Sequence, residues 1–302
     1  MFNFTIKNLL KNPTAETELL LAHAIDSNRV FVLTHPKYQL NLVQYWRFIY
    51  YLFLFNGGYS IAAITKHKEF FGLEFFVNKH VLIPRPETEL LVEEVLDEIS
   101  NSRKKILLID VGTGSGCIPI SILKNSKNIH STIALDISSI ALKVARKNIN
   151  KILNSSFPAF TQSYGEAKHE NDKIKENNNT KIELLKSNLL IKIFNRDYRS
   201  FEQIIITANL PYLTNDQIKQ EQSIQKEPKI ALVAKENGLA LYRQLLEQIT
   251  KIFNNKNLLI LLEIDPSQND RIKELAKKYL PQSKIEIKKD ITGLDRILKI
   301  ST

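Results

Sequence analysis

From residue 87 onward, the sequence alternates apolar, strand-like runs with segments of helical periodicity, and this alternation constrains the fold more than any other feature. It predicts parallel strands whose connecting helices cover both faces of one sheet. Two last strands separated by Thr292-Gly293 suit a terminal antiparallel pair. We therefore predict an α/β domain on a seven-stranded, mostly parallel sheet. The predicted strands are 106–111, 132–136, 182–185, 204–208, 258–264, 284–288 and 296–300, and the predicted helices are 87–99, 117–123, 139–153, 239–253 and 268–279.

The first 66 residues lack this alternation and are predicted to form a small helical domain. Residues 15–24 place apolar side chains at helical spacing, and residues 41–55 form an aromatic-rich helix that ends at Gly57-Gly58. Residues 67–84 contain strand-like runs and are predicted to be a β-hairpin linker. Residues 85–302 form the larger domain. Within it, residues 155–180 are rich in Asn, Lys and Glu, which predicts a flexible, solvated insertion.

Composition excludes several classes of protein. The chain has 302 residues, of which 43% are hydrophobic, so it can build proper cores. The most apolar stretch, residues 45–55, contains Arg47 and has about half of the roughly 20 residues that a membrane span needs. We therefore expect a buried or docking helix there and no membrane association.

Charge and cysteine content bear on partners and compartment. The single Cys117 excludes an internal disulfide, and no charged-then-apolar leader opens the sequence, so we expect a cytoplasmic protein. Cys117 at a helix start has either a lowered pKa or an ordinary place in the core. The six histidines show no metal-ligand spacing, and we predict no metal site. A net charge of +10 suits nucleic acid or an acidic protein face, but a Lys- and Asn-rich composition alone also produces it.

A glycine-rich turn follows the first predicted strand of the sheet. The stretch Asp110-Val111-Gly112-Thr113-Gly114-Ser115-Gly116 lies between strand and helix, where nucleotide-type cofactors bind because glycine allows the backbone to approach the ligand. Asp136 ends the next strand, where a carboxylate can accept both hydroxyls of a ribose. Pro119 stands where a dinucleotide site would have its third glycine. The simpler alternative is a tight turn and an unrelated surface Asp.

A second motif, Asn209-Leu210-Pro211-Tyr212, follows the apolar run 204–208 and should lie at the carboxyl end of that strand. The Asn209 side chain and the Leu210 peptide each offer a carbonyl oxygen, and the two can hold both hydrogens of a planar NH2 group. Tyr212 can stack on the same plane, and Pro211 stiffens the turn. An ordinary strand-ending turn is the alternative interpretation.

A third motif is the stretch 81–89, in which Pro84 and Pro86 bracket Arg85. It has the features of a helix start, with proline in the first turn and acidic residues at the positive end of the helix dipole. The two prolines also make a rigid arm that would hold the Arg85 guanidinium and the Thr88 hydroxyl beside the sheet. Because the arm precedes the first strand of the sheet, it is a candidate lid over the cofactor.

With these motifs, the chain resembles the protein-(glutamine-N5) methyltransferases of the PrmC/HemK type, which modify class I peptide chain release factors. The resemblance runs over nearly the whole length and is most specific at the arm. It implies a Rossmann-like class I S-adenosylmethionine-dependent methyltransferase fold with a small N-terminal helical domain that docks the release factor. The segments that carry it are 18–23, 68–75, 83–94, 227–232 and 237–242, together with the glycine-rich turn and residues 209–212.

The same resemblance implies the roles of individual residues. S-adenosylmethionine, whose product is S-adenosylhomocysteine, would lie on the glycine-rich turn, with its ribose on Asp136 and its adenine beside Asn188 and Leu189. Residues 209–212 would hold the glutamine amide and form the catalytic site, with Arg85 and Thr88 in the substrate site. The residues implied in cofactor binding are Gly112, Thr113, Gly114, Ser115, Gly116, Asp136, Asn188, Leu189 and Asn209, and those implied in catalysis and substrate binding are Asn209, Leu210, Pro211, Tyr212, Arg85 and Thr88.

The chain departs from the family pattern at three places. Leu210 replaces the first proline of the usual Asn-Pro-Pro-Tyr motif, which keeps the carbonyl but removes one source of rigidity. Asn188 stands where an acidic residue is usual, and Leu189 stands at a position that is often aromatic. The 155–180 insertion is longer than the usual loop.

Two other functions remain open at this point. An adenine-N6 methyltransferase acting on ribosomal RNA or DNA would grip the same planar NH2 group, and Asn-Leu-Pro-Tyr is a form that ribosomal RNA adenine dimethyltransferases use. The arm and the N-terminal helical domain favour the glutamine enzyme. A ribosome- or factor-binding protein that has lost activity would have a degraded cofactor site, which the intact glycines and Asp136 do not suggest. We expect a monomer whose partners are class I release factors and which has no obligate nucleic acid.

Overall fold

The computed structural model describes residues 4–153, 181–220, 224–254 and 256–302. The chain divides into two units, Met1–His67 with Lys219–Lys226, and Lys68–Ile218 with Glu227–Thr302. The assignment of Lys219–Lys226 to the first unit was not indicated by the sequence. The predicted insertion at 155–180 lies outside the described residues.

The first unit contains five helices in its described part. Capping boxes at Thr14 and Asn41 begin α2 and α4, because each side chain accepts the hydrogen bond of a free backbone N–H. Their packing buries Leu20, Leu21 and Phe48 completely, and burial of each such side chain stabilises the fold by about 1.5–3 kcal/mol. The helices are α1 (Ile6–Leu9), α2 (Ala15–Ala24), α3 (Arg29–Thr34), α4 (Leu42–Asn56) and α5 (Ile61–Thr65).

Helix α4 is less buried than its composition predicts. Phe48 is its one buried residue, whereas Trp46 and Phe53 are 64% and 72% exposed. Leu42, Val43 and Tyr50 are exposed as well. From Val43 onward these side chains recur three or four residues apart, and Leu42 lies four residues before Trp46, so the five form one apolar stripe along the helix, which we call the α4 stripe. Of the two sequence-based alternatives, burial and docking, burial applies only to the opposite side of the helix.

A two-stranded sheet of β1 (His67–Phe70) and β2 (Leu73–Phe76) follows. Phe71 and Gly72 form the turn, both with positive φ. Phe70 and Phe75 are fully buried and meet edge to face, with ring centroids 6.1 Å apart. Residues 81–83 form no strand, although their pattern is strand-like.

The second unit is built on one sheet of seven strands in the order β5-β4-β3-β6-β7-β9-β8. The first five of these pair in parallel, and β9 runs antiparallel to both β7 and β8. The predicted seven-stranded, mostly parallel α/β fold is thereby confirmed. The strands are β3 (Ile106–Val111), β4 (Ile129–Asp136), β5 (Lys181–Lys186), β6 (Gln203–Ala208), β7 (Leu258–Glu263), β8 (Lys284–Lys289) and β9 (Asp295–Ser301).

Helices cover both faces of this sheet. Every residue of β3, β6 and β7 is buried, because successive side chains enter opposite cores. Leu107 and Ile109 join one core with α10 and α11, and Ile106 and Leu108 join the other with α6, α7 and α8. The helices of the two cores are α6 (Glu89–Ile99), α7 (Cys117–Asn125), α8 (Ser139–Ile152), α10 (Ala240–Ile252) and α11 (Asn269–Tyr279), whereas α9 (Asn215–Gln220) contributes no described side chain to either core.

Among the described residues, no helix combines the length and the apolar character that crossing a membrane requires.

Candidate active site

A cavity of about 480 Å³ lies at the carboxyl ends of β3, β4 and β6, within the second unit. The size suits one cofactor-sized ligand. The centre of the sheet, where β3 lies between β4 and β6, is the place at which open α/β sheets bind ligands. The predicted site residues that line this cavity are Thr88, Gly112, Thr113, Gly114, Ser115, Asp136, Asn188, Leu189, Asn209, Leu210 and Pro211. Gly116, Arg85 and Tyr212 are outside its lining.

The glycine-rich turn forms one wall of the cavity. Gly112 has a φ of +77°, and a Cβ built there would approach Leu210 Cδ2 to 3.0 Å. The backbone N–H groups of Gly112 and Thr113 both donate to the Leu135 carbonyl, at 2.8 and 2.9 Å, which ties the turn to β4. The turn therefore passes close to the Leu210 side chain because residue 112 has no side chain of its own.

Asp136 stands at the end of β4 and faces the same cavity. Its Oδ2 accepts the Gly114 N–H at 2.9 Å, and its Oδ1 accepts the Ser138 N–H at 2.8 Å. Burial raises the pKa of this carboxyl group. Each carboxylate oxygen keeps a further lone pair, so Asp136 can accept two ribose hydroxyls while it holds the turn in place.

Asp110, beneath the glycine-rich turn, is a residue whose role the sequence analysis did not assign. It is fully buried at the end of β3, and burial raises the pKa of its carboxyl group to about 6. Thr207 Oγ1 donates to its Oδ1 at 2.7 Å, but its Oδ2 has no hydrogen-bond partner among the described residues. A buried carboxylate with a free oxygen is costly. When ionised, its negative charge favours a positively charged group, such as a sulfonium or an ammonium, in the neighbouring cavity, whose lining begins at the next residue, Val111.

Asn209 and Leu210 both line the cavity, and each has a carbonyl oxygen with a lone pair that is not used within the described chain. The Asn209 side chain donates from Nδ2 to Thr88 Oγ1 at 3.1 Å, and its Oδ1 accepts no hydrogen bond within the described chain. The Leu210 carbonyl is approached at 3.3 Å by the hydroxyl of Tyr242, which also donates to the Glu263 carbonyl. A carbonyl has two lone pairs, so Leu210 can accept one more hydrogen bond.

Tyr212 and Arg85 are not among the residues that line the cavity. Tyr212 directs its hydroxyl to Glu263 Oε1 at 3.2 Å. Arg85 forms an ion pair with Glu227, a buried carboxylate whose Oε2 also accepts the Ile83 N–H at 3.1 Å. Glu227 thus fastens the proline arm, a role that its place in the family pattern did not reveal. The substrate roles of Arg85 and Tyr212 remain predictions.

Gly238 lies against the 209–212 motif at the Tyr212 carbonyl. A Cβ at this residue would lie 2.1 Å from the Tyr212 carbonyl oxygen and 2.2 Å from Gln268 Nε2, which no side chain can do. Gln268 Nε2 in turn donates to the carbonyl oxygens of Tyr212, at 3.3 Å, and Asn237, at 3.0 Å. The glycine therefore allows the loop before α10 to press directly on the motif.

The sequence also led to predictions about the adenine site, the single cysteine and metal binding. Asn188 and Leu189 line the cavity, and Leu189 has a positive φ of 49°. Cys117 is buried, and burial raises the pKa of its thiol to about 12, so the alternative of a lowered pKa is wrong. No group of three or more His, Cys, Asp or Glu side chains in the described chain has the arrangement of a metal site.

The fold and this cavity define a class I S-adenosylmethionine-dependent methyltransferase. The catalytic domain of hMettl16, solved in complex with MAT2A 3'UTR hairpin 1, shares the fold at 15% identity and a TM-score of 0.54, covering 77% of this chain and 76% of that chain. Its complex with hairpin 6 aligns with a TM-score of 0.52 at 16% identity and covers 80% of each chain. The family model of the ribosomal protein L11 methyltransferase (PrmA) matches residues 86–210.

Closer relatives define the family. The release factor glutamine methyltransferase of Mycoplasma mycoides subsp. mycoides SC is 35% identical over 98% of this chain and 97% of its own length. Those of Flavobacterium psychrophilum and Clostridium acetobutylicum are 34% and 32% identical and cover 90% and 94% of this chain and 86% and 89% of their own lengths. The chain belongs to the release factor glutamine methyltransferase family, and S-adenosylmethionine is its methyl donor.

The residues at the cavity fit this donor. Asp136 has the lone pairs for the ribose hydroxyls, and the apolar Leu189 suits the adenine ring. The buried Asp110, whose Oδ2 has no hydrogen-bond partner among the described residues, adds negative charge next to the turn, which suits a ligand that carries a sulfonium and an ammonium group. The individual residue assignments remain predictions.

Proposed function

We propose that this protein methylates the side-chain amide nitrogen of the glutamine in the Gly-Gly-Gln motif of class I peptide chain release factors. Membership of the release factor glutamine methyltransferase family supports this substrate. The alternative of an adenine-N6 methyltransferase is not favoured, because relatives that match nearly the whole chain carry the glutamine activity in their names.

One observation carries the chemical part of the proposal. Asn209 and Leu210 both line the cavity, Oδ1 of Asn209 accepts no hydrogen bond from the described residues, and the Leu210 carbonyl, which the Tyr242 hydroxyl approaches, has one lone pair left. A primary amide has two N–H groups in one plane, and two neighbouring acceptors match them. Backbone and amide carbonyls only accept hydrogen bonds, so they match the two N–H donors of a primary amide.

Positioning is the main contribution of these residues to the reaction. An amide nitrogen is a poor nucleophile because its lone pair is delocalised into the carbonyl group. Asn209 and Leu210 would fix the direction in which that lone pair points, and such orientation lowers a barrier by up to about 7–11 kcal/mol. Both oxygens also stabilise the positive charge that develops on the nitrogen. When bound, the cofactor supplies the electrophilic methyl group.

The apolar lining of the cavity would also exclude water during methyl transfer. Leu82, Pro84 and Ile118 add apolar surface to its lining. A dry site strengthens the hydrogen bonds from the amide to Asn209 and Leu210, because fewer water molecules compete for the same oxygens. We assign to the proline arm, which contributes Pro84 and Thr88 to the lining, a part in keeping water out of the cavity.

The first unit is assigned to docking the release factor. The α4 stripe exposes aromatic side chains, of which Trp46 and Tyr50 are typical anchors of protein interfaces. Arg47, on the same helix, bonds Asp26 and the Ala24 carbonyl at 2.8 and 3.1 Å and fixes the helix to its own unit. The positive net charge of the chain suits an acidic partner. We propose further that the enzyme acts as a monomer in the cytoplasm and needs no nucleic acid.

The experiment that tests the activity supplies labelled S-adenosylmethionine together with either an intact class I release factor or ribosomal RNA. We expect label on the release factor and none on the RNA. A release factor whose motif glutamine is replaced by alanine is the matched control and should take up no label. Label on RNA alone would overturn the proposal.

A further inference from the structure

A buried glutamate, Glu263, contacts the 209–212 motif. Glu263 is the last residue of β7 and is 1% exposed, and β7 lies next to β6, after which Asn209 follows. Oε1 of Glu263 accepts the Tyr212 hydroxyl at 3.2 Å. Its Oε2 is buried and has no hydrogen-bond partner in the part of the chain that the structure describes. A carboxylate oxygen in this situation needs a donor nearby.

Thr88 is the side chain that can supply this donor. It is 2% exposed, and its Oγ1 accepts the hydrogen bond from Asn209 Nδ2. No hydrogen bond from Thr88 reaches Oε2 of Glu263 in this structure. Ala208 pairs with Leu262 in the sheet, however, which places Glu263 beside Asn209. The nearby Thr88 hydroxyl lowers the pKa of the Glu263 carboxyl group. A hydroxyl group has one proton and two lone pairs, so if its proton points to Glu263 its oxygen can only accept from Asn209.

We propose that Glu263 is a positioning residue that sets the orientation of the Asn209 side-chain amide through the Thr88 hydroxyl. Glu263 accepts the Thr88 proton, and the Thr88 oxygen then presents a lone pair. Only the NH2 end of Asn209 can satisfy that lone pair, so Oδ1 is left as the acceptor in the cavity. The inference rests on the proposed function, since it concerns how the amide of the substrate is held.

The orientation matters because an asparagine amide has two ends of opposite character. If the Thr88 proton pointed to Asn209 instead, the amide would turn and present Nδ2 to the cavity. Two NH2 groups would then face each other, and the substrate would lose a hydrogen bond. Glu263 also accepts from Tyr212, so one buried carboxylate is connected to both ends of the 209–212 motif.

The charged and titratable groups around Glu263 decide when it is ionised. Burial raises the pKa of its carboxyl group, and the charge of Glu87 adds to this, whereas the hydroxyls of Thr88 and Tyr212 and the charge of Arg296 lower it. Asp265 acts on the same cluster through Tyr212, and Asp290 bonds Arg296. When Glu263 takes up a proton, one of its oxygens becomes a donor. The turnover rate should therefore fall as the pH falls through the pKa of Glu263.

The test compares Thr88→Val, Thr88→Ser, Glu263→Gln and the Thr88→Val/Glu263→Gln double variant, with a release factor as substrate. Valine has the shape of threonine without the hydroxyl, so we expect kcat to fall about tenfold or more, whereas serine should keep most of it. Glu263→Gln should lower kcat by a similar factor and remove the acid limb of the wild-type pH profile. The dissociation constant of S-adenosylmethionine should stay within about twofold in every variant.

The double variant separates a relay from two independent contributions. If Glu263 acts through Thr88, adding Glu263→Gln to Thr88→Val should lower kcat little further, whereas independent roles would multiply the two losses. Glu183→Gln is the matched control, since Glu183 is a partly buried carboxylate on β5 that bonds Arg196, and kcat should be unchanged.

Two results would overturn the inference: equal kcat values for Thr88→Val and Thr88→Ser, or multiplicative losses with an unchanged acid limb in Glu263→Gln. If Glu263→Gln fails to bind the cofactor, the comparison of Thr88→Val with Thr88→Ser tests the inference by itself. Failure of the wild-type enzyme to label any release factor would instead refute the proposed function, so the two failures are distinguishable.

Discussion

The side chain of Asn209 donates a hydrogen bond from Nδ2 to Oγ1 of Thr88 over 3.1 Å. This bond joins the motif after β6 to the residue that precedes α6, 121 residues earlier in the chain. It holds the Asn209 amide before any substrate arrives. The fold therefore places Oδ1, the oxygen that we propose binds the substrate amide, and the substrate does not have to order it.

We expect Asn209→Ala to lower kcat by about 10²–10³, because the variant loses an acceptor that stabilises the charge developing on the substrate nitrogen. The affinity for S-adenosylmethionine, measured by calorimetry, should change little. Leu210→Pro is the companion variant and should be tolerated, because proline keeps the carbonyl and is smaller than the side chain that packs near Gly112. Robust methylation by Asn209→Ala would show that the motif has been misread.

Gly238→Ala should lower activity by about tenfold or more. The alanine Cβ would overlap the Tyr212 carbonyl, so the 209–212 motif would have to shift. Gly293→Ala is the matched control. Gly293 has a similar positive φ of +83°, but nothing lies within 4 Å of its Cβ position. Both variants incur backbone strain of about 1–2 kcal/mol, which thermal unfolding measures. An equal effect of both on kcat would argue against the contact with Tyr212.

Asp110→Asn should stabilise the cofactor-free protein at neutral pH. The pKa of Asp110 is raised from 3.8 to about 6, so the folded protein holds this proton more tightly than the unfolded chain. Its ionisation therefore lowers the free energy of unfolding by up to about 3 kcal/mol as pH rises from about 4 to above 6. The variant escapes this loss and should gain that amount at about pH 7.5 but little at about pH 4.

Denaturant unfolding at these two pH values measures the effect of Asp110→Asn. The variant should also bind S-adenosylmethionine more weakly, because the negative charge beneath the turn is gone. Asp97→Asn, on the exposed face of α6, is the control and should show no pH-dependent gain. A variant that is less stable than the wild type at neutral pH would contradict the reasoning.

Substitution of the α4 stripe should separate docking from chemistry. In the Trp46→Ala/Phe53→Ala double variant, we expect kcat/KM for the intact release factor to fall about tenfold or more, because aromatic anchors carry much of an interface's binding energy. With a short Gly-Gly-Gln peptide as substrate, kcat/KM should stay unchanged. Ile291→Ala removes a fully exposed apolar side chain of the second unit and is the control. Equal losses with factor and peptide would exclude a docking role.

The sheet could be predicted because its central strands are buried on both faces. Such strands are continuous apolar runs, and β3, β6 and β7 stand out for this reason. The glycine-rich turn and Asp136 could be located from the sequence because the turn comes directly after one predicted strand and Asp136 is the last residue of the next.

The residues that support the site could not be predicted, since their contacts join distant parts of the chain. Glu227 meets Arg85 across 142 positions, and Gly238 meets Tyr212 only because β6 and α10 are packed together. Nothing local marks Glu263 or Asp110 as more than ordinary acidic residues at strand ends. Their burial and their unpartnered oxygens distinguish them, and both are properties of the folded chain.

Mass spectrometry of the modified release factor tests the central claim most directly. After incubation with the enzyme and S-adenosylmethionine, the peptide that contains the Gly-Gly-Gln motif should gain one methyl group, and fragmentation should place it on the glutamine side-chain nitrogen. The Asn209→Ala enzyme, in the same experiment, should leave this peptide unmodified. A methyl group on any other residue, or an unmodified motif beside methylated RNA, would contradict the account.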